Sequence, residues 1–115
     1  MSHLSPIYTW AMPQQESTVI HDIVEYILMT NTPQAEWYVG IAIDAQARVF
    51  EGHGVNKDVD YWIYRECFTA DAARRVVRYF ITNYQTDGWS GGGSDASRFV
   101  YAYKKERHTR EGDVK

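Results

Sequence analysis

The chain of 115 residues is short of three things, and each shortage excludes a class of protein. It has one cysteine, Cys67, so it can close no internal disulfide. At the end of a strand-like run, that thiol reads as a small packed hydrophobe rather than a nucleophile. It has no long apolar run: stretches such as 39–43 are far shorter than the roughly 20 residues a bilayer span needs. Its start also lacks the basic stretch leading into an apolar one that marks a secretory leader, so the expectation is a cytoplasmic domain outside the membrane. Finally, it has no surplus of positive charge. Twelve Lys and Arg stand against 15 Asp and Glu, for a formal charge of -3, which speaks against a generic electrostatic grip on nucleic acid.

What is present suffices for one packed domain, since 44% of the residues are hydrophobic and 15% aromatic. Residues 1–16 carry Pro6 and Pro13 and no sustained period, so they read as an arm that Tyr8 and Trp10 could pin to the surface. Ser17 can cap a helix in which Val19, Ile20, Ile23, Val24, Ile27 and Leu28 form a stripe of period 3.6. Asn31, Thr32 and Pro33 end it. Residues 37–43 alternate as a strand, with Trp37, Val39, Ile41 and Ile43 on a buried face and Tyr38, Gly40 and Ala42 on an open one.

Asp44 then caps a short helix that Gly52, His53 and Gly54 stop. Residues 61–67 and 98–104 read as two further strands by their aromatic and β-branched content. Between them Thr69 caps the longest helix, with Ala73, Val76, Val77, Phe80, Ile81 and Tyr84 on one stripe. Residues 87–95 read as a loop and 105–115 as a charged tail that frays. The expected fold is a small α/β domain over 17–104, with a three-stranded mixed or antiparallel sheet flanked by helices.

Chemistry concentrates at the corner where the first strand enters the short helix. Tyr38 and Gly40 share a strand face, and Arg48 follows eight residues after the glycine. A tyrosine can act as a general base when a neighbouring cation draws off its proton, an arginine can hold a phosphate through paired donors, and a glycine leaves room for a substrate backbone. Arg74, Arg75 and Arg78 form one basic cluster, and Lys104, Lys105, Arg107, His108 and Arg110 another; both patterns equally fit a solvated helix face and a tail. His3, His21, His53 and His108 are scattered and show no zinc spacing. Gly91–Gly93 lack the Gly-Lys-Ser/Thr ending of a phosphate loop. The aromatics Tyr61, Trp62, Tyr64, Trp89, Tyr101 and Tyr103 could stack on bases or pack in a core.

Trp37-Tyr38-Val39-Gly40, with Arg48 at its spacing and Val49-Phe50 after it, resembles the second half of the GIY-YIG nuclease signature. The likeness runs over residues 37–82, about two fifths of the chain. It implies a GIY-YIG-like fold in which Tyr38 and Arg48 hold the catalytic positions, Gly40, Arg48, Arg74, Arg75 and Arg78 meet nucleic acid, and Mg²⁺ assists cleavage of phosphodiester bonds if the domain is active. Two departures stand against activity. No Gly-Ile-Tyr strand lies upstream, although Tyr101 in the last strand could take the place of the missing tyrosine. The metal-binding glutamate aligns with Val77, which has no oxygen to offer a hard cation; Glu51 and Glu66 are possible replacements, whereas Asp71 lies too near the helix start.

Three functions therefore remain open. The chain reads first as a degenerate module associated with nucleic acid, second as an active metal-dependent endonuclease, and third as a protein-binding inhibitor or immunity-type partner whose exposed aromatics meet another protein.

Overall fold

The computed structural model describes residues 12–112. The arm expected over 1–16 lies outside that range up to residue 11, including Tyr8 and Trp10, as do tail residues 113–115. Helix α1 is Glu16–Thr30, and Val19, Ile23 and Ile27 are its buried stripe. Ser17, expected to cap it, lies inside the helix; the cap position is Gln15, which makes no side-chain hydrogen bond there. Asn31 closes the helix in the left-handed region, at φ 57, with its N–H on the Leu28 carbonyl.

Strand β1 is Trp37–Ala42. Asp44 follows as expected, its Oδ1 accepting the Ala47 N–H at 3.1 Å. The corner helix Ala47–Gly52 is wound as a π-helix, so the His53 N–H reaches the Arg48 carbonyl five residues back at 2.9 Å. Strand β2 is Trp62–Glu66 and helix α2 is Ala70–Tyr84, opened by the Thr69 hydroxyl, which accepts the Ala72 N–H at 3.0 Å. Strands β3, Asp87–Trp89, and β4, Phe99–Lys104, complete the order.

The described strands form one mixed sheet in the order β2-β4-β1-β3. β4 runs antiparallel to both β1 and β2, while β3 lies parallel to β1. The sheet thus has four strands where the sequence predicts three. β3 falls in the stretch read as a loop, because Asp and Gly are poor strand formers and only pairing with β1 makes this segment extended.

Alternation along the strands sorts the core into two layers. Trp37, Val39, Ile41, Ile63, Val100 and Ala102 face α1 and α2, where they meet Ile23, Val76, Val77 and Phe80. Each fully buried aliphatic or phenyl side chain there is worth about 1.5–3 kcal/mol of transfer free energy. Tyr38, Ala42, Tyr101 and Tyr103 point the other way, under Val49 of the corner helix and Val55. Tyr38 is only 2% exposed, so the face expected to be open is a second buried layer. Ile43, expected on the buried face, is exposed because β1 ends one residue before it and the chain turns.

The charged segment after β4 is held rather than frayed as far as residue 112. The Lys105 N–H donates to Glu36 O at 2.7 Å and the Arg110 N–H to His53 O at 2.8 Å. The Arg110 guanidinium reaches the Glu51 and Gly52 carbonyls at 3.3 Å, satisfying the end of the corner helix. Among the described residues, no helix is long and apolar enough to cross a membrane.

Candidate functional site

The second layer is organised by a histidine that the sequence marks only as a helix stop. His53 is fully buried and sits where the corner helix ends, between β4 and the residues that follow it. Its Nδ1 lies 2.6 Å from the Arg110 carbonyl. A carbonyl can only accept, so Nδ1 carries the proton and Nε2 is bare. Nε2 therefore accepts the Tyr101 O–H at 2.7 Å. The Tyr103 oxygen is 2.9 Å from Nδ1, and its own proton goes to Glu111 Oε2 at 2.8 Å. The result is a directed chain from Tyr101 through His53 to the Arg110 carbonyl and Tyr103, ending on Glu111.

The imidazole and the two phenols of this chain have pKa values moved by burial. Desolvation lowers His53 from its ordinary value, against the opposing Arg110 carbonyl, and keeps the imidazole neutral. The same cause raises Tyr101 and Tyr103, the latter further through the Glu111 carboxylate. Tyr38 is pushed up to about 12, mainly by desolvation and secondarily by Asp87, with Arg48 pulling the other way. A phenol with that pKa is ionised in only about one molecule in 10⁵ at neutral pH. The free protein thus holds Tyr38 as an acid with its proton on, not as a base.

Gly40 stands opposite Tyr101 in the β1–β4 register. A Cβ on Gly40 would strike the Tyr101 hydroxyl and come within 2.7 Å of its Cζ, so the space expected for a substrate backbone is filled by the Tyr101 ring. Pairing of Ile41 with Val100 puts β4 directly beside β1, the neighbourhood in which Tyr101 could replace the missing first-strand tyrosine. Burial raises Tyr101 and the Arg48 charge opposes that shift; the same charge is felt at Tyr38 and His53. The fold therefore brings Tyr38, Gly40, Arg48 and Tyr101 together, with Arg48 alone of the four lining the cleft beyond β1.

Arg48 also lines a cleft of about 630 Å³ at the carboxyl end of β1, between the corner helix and the loop of Gly91–Gly93. Ligands in α/β sheets commonly bind outside the carboxyl ends of strands. Ile41, Asp44, Glu51 and Trp89 share the lining. The triple glycine, part of the stretch read as a loop, forms one wall: Gly93 sits at φ +72 and packs so closely that a Cβ would come within 2.7 Å of Ser97 Oγ. Arg74 braces that wall from α2, donating to the Gly92 and Ser94 carbonyls at 3.3 Å while paired with Asp71.

The other basic residues do not converge on the cleft. Arg75 is engaged by Glu16 at 2.6 Å, tying α2 to α1, and Arg78 is exposed on the same helix. Lys104 pairs with Glu36 and Glu106, Lys105 with Asp87, and His108 with Asp60. By contrast, no carboxylate is paired with Arg48 among the described residues.

The residues at the cleft do not fit the divalent cation that the family resemblance implies. Val77 is buried among the helices on the opposite face of the sheet. Glu66 is paired with Arg98 at 3.0 Å and Asp71 with Arg74. Glu51 reaches the cleft, beside Asp44, whose Oδ1 caps Ala47. Among the described residues no three of His, Cys, Asp and Glu come together as a metal-binding group, and one free carboxylate with one capping carboxylate is a poor set for Mg²⁺. Compared with family models, curated proteins and solved structures, the chain matches none.

Proposed function

We propose that this is a degenerate GIY-YIG-like domain that binds the phosphodiester backbone of nucleic acid at Arg48, with catalysis lost or reduced. The observation that carries the proposal is an arginine with no carboxylate partner among the described residues, lining a cleft at the end of β1, the Tyr-Val-Gly strand. The antiparallel neighbour β4, with Tyr101 opposite Gly40, supports the likeness to the nuclease fold. The high pKa of Tyr38 and the absence of a ligand set at Val77 support binding without efficient cutting. Because the domain as a whole is acidic, binding falls at the weak end of non-specific affinities, about 10⁻⁴ M at physiological salt.

The test is a fluorescence anisotropy titration with a short labelled single strand at several salt concentrations. The wild type is expected to weaken steeply with salt, and Arg48→Ala to flatten the log–log slope by about 0.7, the share of one phosphate contact on a single strand. Arg78→Ala, distant from the cleft, leaves that slope nearly unchanged. A wild type with no salt-dependent binding overturns the reading and favours a protein partner. Plasmid cleavage in Mg²⁺ or Mn²⁺ that Arg48→Ala abolishes would put an active endonuclease in its place.

A further inference from the structure

The cleft that holds Arg48 is also walled by an aromatic side chain that the phosphate reading leaves unused. Trp89 ends the edge strand β3 and is 45% exposed, although its indole is among the largest apolar groups of the chain. The glycine loop folds against it: a Cβ on Gly91 would lie 3.2 Å from its Cζ2 and one on Gly92 3.5 Å from its Nε1. Loop and indole therefore form one wall of the cleft, with Ile41 and Arg48 among the other lining residues. Tyr101 and Tyr103, by contrast, are buried and offer no face to a ligand.

We propose that the cleft takes a single unpaired nucleotide, its base stacked on Trp89 and its phosphate on Arg48; this rests on the phosphodiester reading above and names the part of the strand that enters. The volume of about 630 Å³ falls in the range of small-ligand pockets, which suits one nucleotide. Charge restricts the ligand further. One arginine faces two carboxylates, Asp44 and Glu51, in the same lining. Those three side chains sum to a net charge of -1, so a phosphate is held only by direct contact with Arg48, and each further phosphate charge of a di- or triphosphate adds repulsion. The carboxylates, which can only accept, suit the amino groups of a base or the hydroxyls of a sugar. A paired base cannot turn its face to the indole, so the ligand is single-stranded.

The experiment compares four titrations read by anisotropy: wild type, Trp89→Ala and Trp89→Phe with a labelled oligothymidine, and wild type with an abasic strand of equal length and charge. Stacking predicts a loss of about 5- to 150-fold for Trp89→Ala, the range of one base–aromatic contact. It predicts recovery of most of that loss by Trp89→Phe, and abasic binding as weak as that of Trp89→Ala on the full strand. The salt slope stays the same in all four, because no phosphate contact is removed. Equal affinity for the abasic and full strands overturns the stacked nucleotide while leaving the Arg48 contact standing, and needs no variant to fold. Loss of all salt-dependent binding in the wild type overturns both.

Discussion

Replacing Gly40 by alanine adds one methyl group where the structure has least room for it. The new Cβ would overlap the Tyr101 hydroxyl and sit 2.7 Å from Cζ and 3.1 Å from Cε2. Tyr101 cannot swing aside freely, because it is 1% exposed and its hydroxyl is tied to His53 Nε2 at 2.7 Å. The strand cannot retreat either, since Gly40 pairs with Tyr101 on one side and Trp89 on the other. Overpacking of a rigid core costs about 1–3 kcal/mol. Displacing the tyrosine far enough to break its bond to His53 adds about 1 kcal/mol, because it leaves the buried Nε2 without a donor. The expected destabilisation is therefore about 2–4 kcal/mol, read as a fall in the urea midpoint. The cause can be isolated by a double-mutant cycle: in a Tyr101→Ala background the ring is gone, and Gly40→Ala should cost less than about 1 kcal/mol. If Gly40→Ala costs the same in both backgrounds, the collision with Tyr101 is not what makes the glycine necessary.

Three other outcomes follow from named contacts. Thr69→Ala removes the hydroxyl that accepts the Ala72 N–H at the start of α2, and should cost about 0.5–2 kcal/mol in chemical denaturation; Ser at that position should restore most of it. The folded pKa of His53 is depressed below its ordinary 6.5, so the unfolded chain takes up the proton first as pH falls. Its contribution is complete above about pH 6.5 and declines below that, and wild type should lose more stability between pH 7.5 and 5.5 than His53→Gln does; equal losses would show that His53 is not a buried neutral imidazole. Cys67 is fully buried and its thiol is pushed up to about 11 by desolvation, so alkylation by iodoacetamide at pH 8 should proceed only as fast as the protein unfolds.

The elements set by local chemistry were legible in the sequence, and those set by contacts distant along the chain were not. α2 begins and ends where the Thr69 cap and the apolar stripe place it, and Asp44 opens the corner helix as its side chain predicts. β1 alternates as read, yet the exposure of its second face depends on what covers it. That cover is Val49, Val55 and His53, brought over by a π-helical corner whose longer hydrogen-bond step has no residue pattern of its own. β3 consists of Asp87, Gly88 and Trp89, a composition that signals a turn and becomes a strand only beside β1. Of the site, Tyr38, Gly40, Arg48 and Tyr101 were visible through the family resemblance. His53 was read only as a helix stop and one of four scattered histidines; its buried network was hidden, because its partners Tyr101, Tyr103 and Arg110 lie 48 to 57 residues away and no spacing announces them. Glu111 was hidden for the same reason, in a segment whose charge reads as a solvated tail.

The proton inventory of this site bears more directly on its chemistry than Val77 does. A catalytic corner needs a group that can accept a proton near neutral pH and can be reached by the reacting atom. Tyr38 keeps its proton until about pH 12, and Tyr101 is raised by its own burial. The basic nitrogen in the layer, His53 Nε2, is already occupied by the Tyr101 hydroxyl and is sealed from solvent. Glu111 is engaged behind Tyr103, by that hydroxyl and by Thr109 at 2.7 Å. What faces the cleft is a permanently charged donor, Arg48, with Asp44 and Glu51 as acceptors. On the reading proposed above, that set recognises a phosphodiester and its sugar or base, and the carboxylates of Asp44 and Glu51 are what the described lining offers as a base toward water. A glutamate placed at position 77 would not change this, because that side chain points into the helical layer, on the far side of the sheet from the layer of Tyr38 and Tyr101. Val77→Glu should therefore destabilise the fold by burying a carboxylate among Val76, Phe80 and Ile23 without producing a nuclease, and a variant that folds and cuts would refute the placement of the site argued from Arg48 and Tyr101.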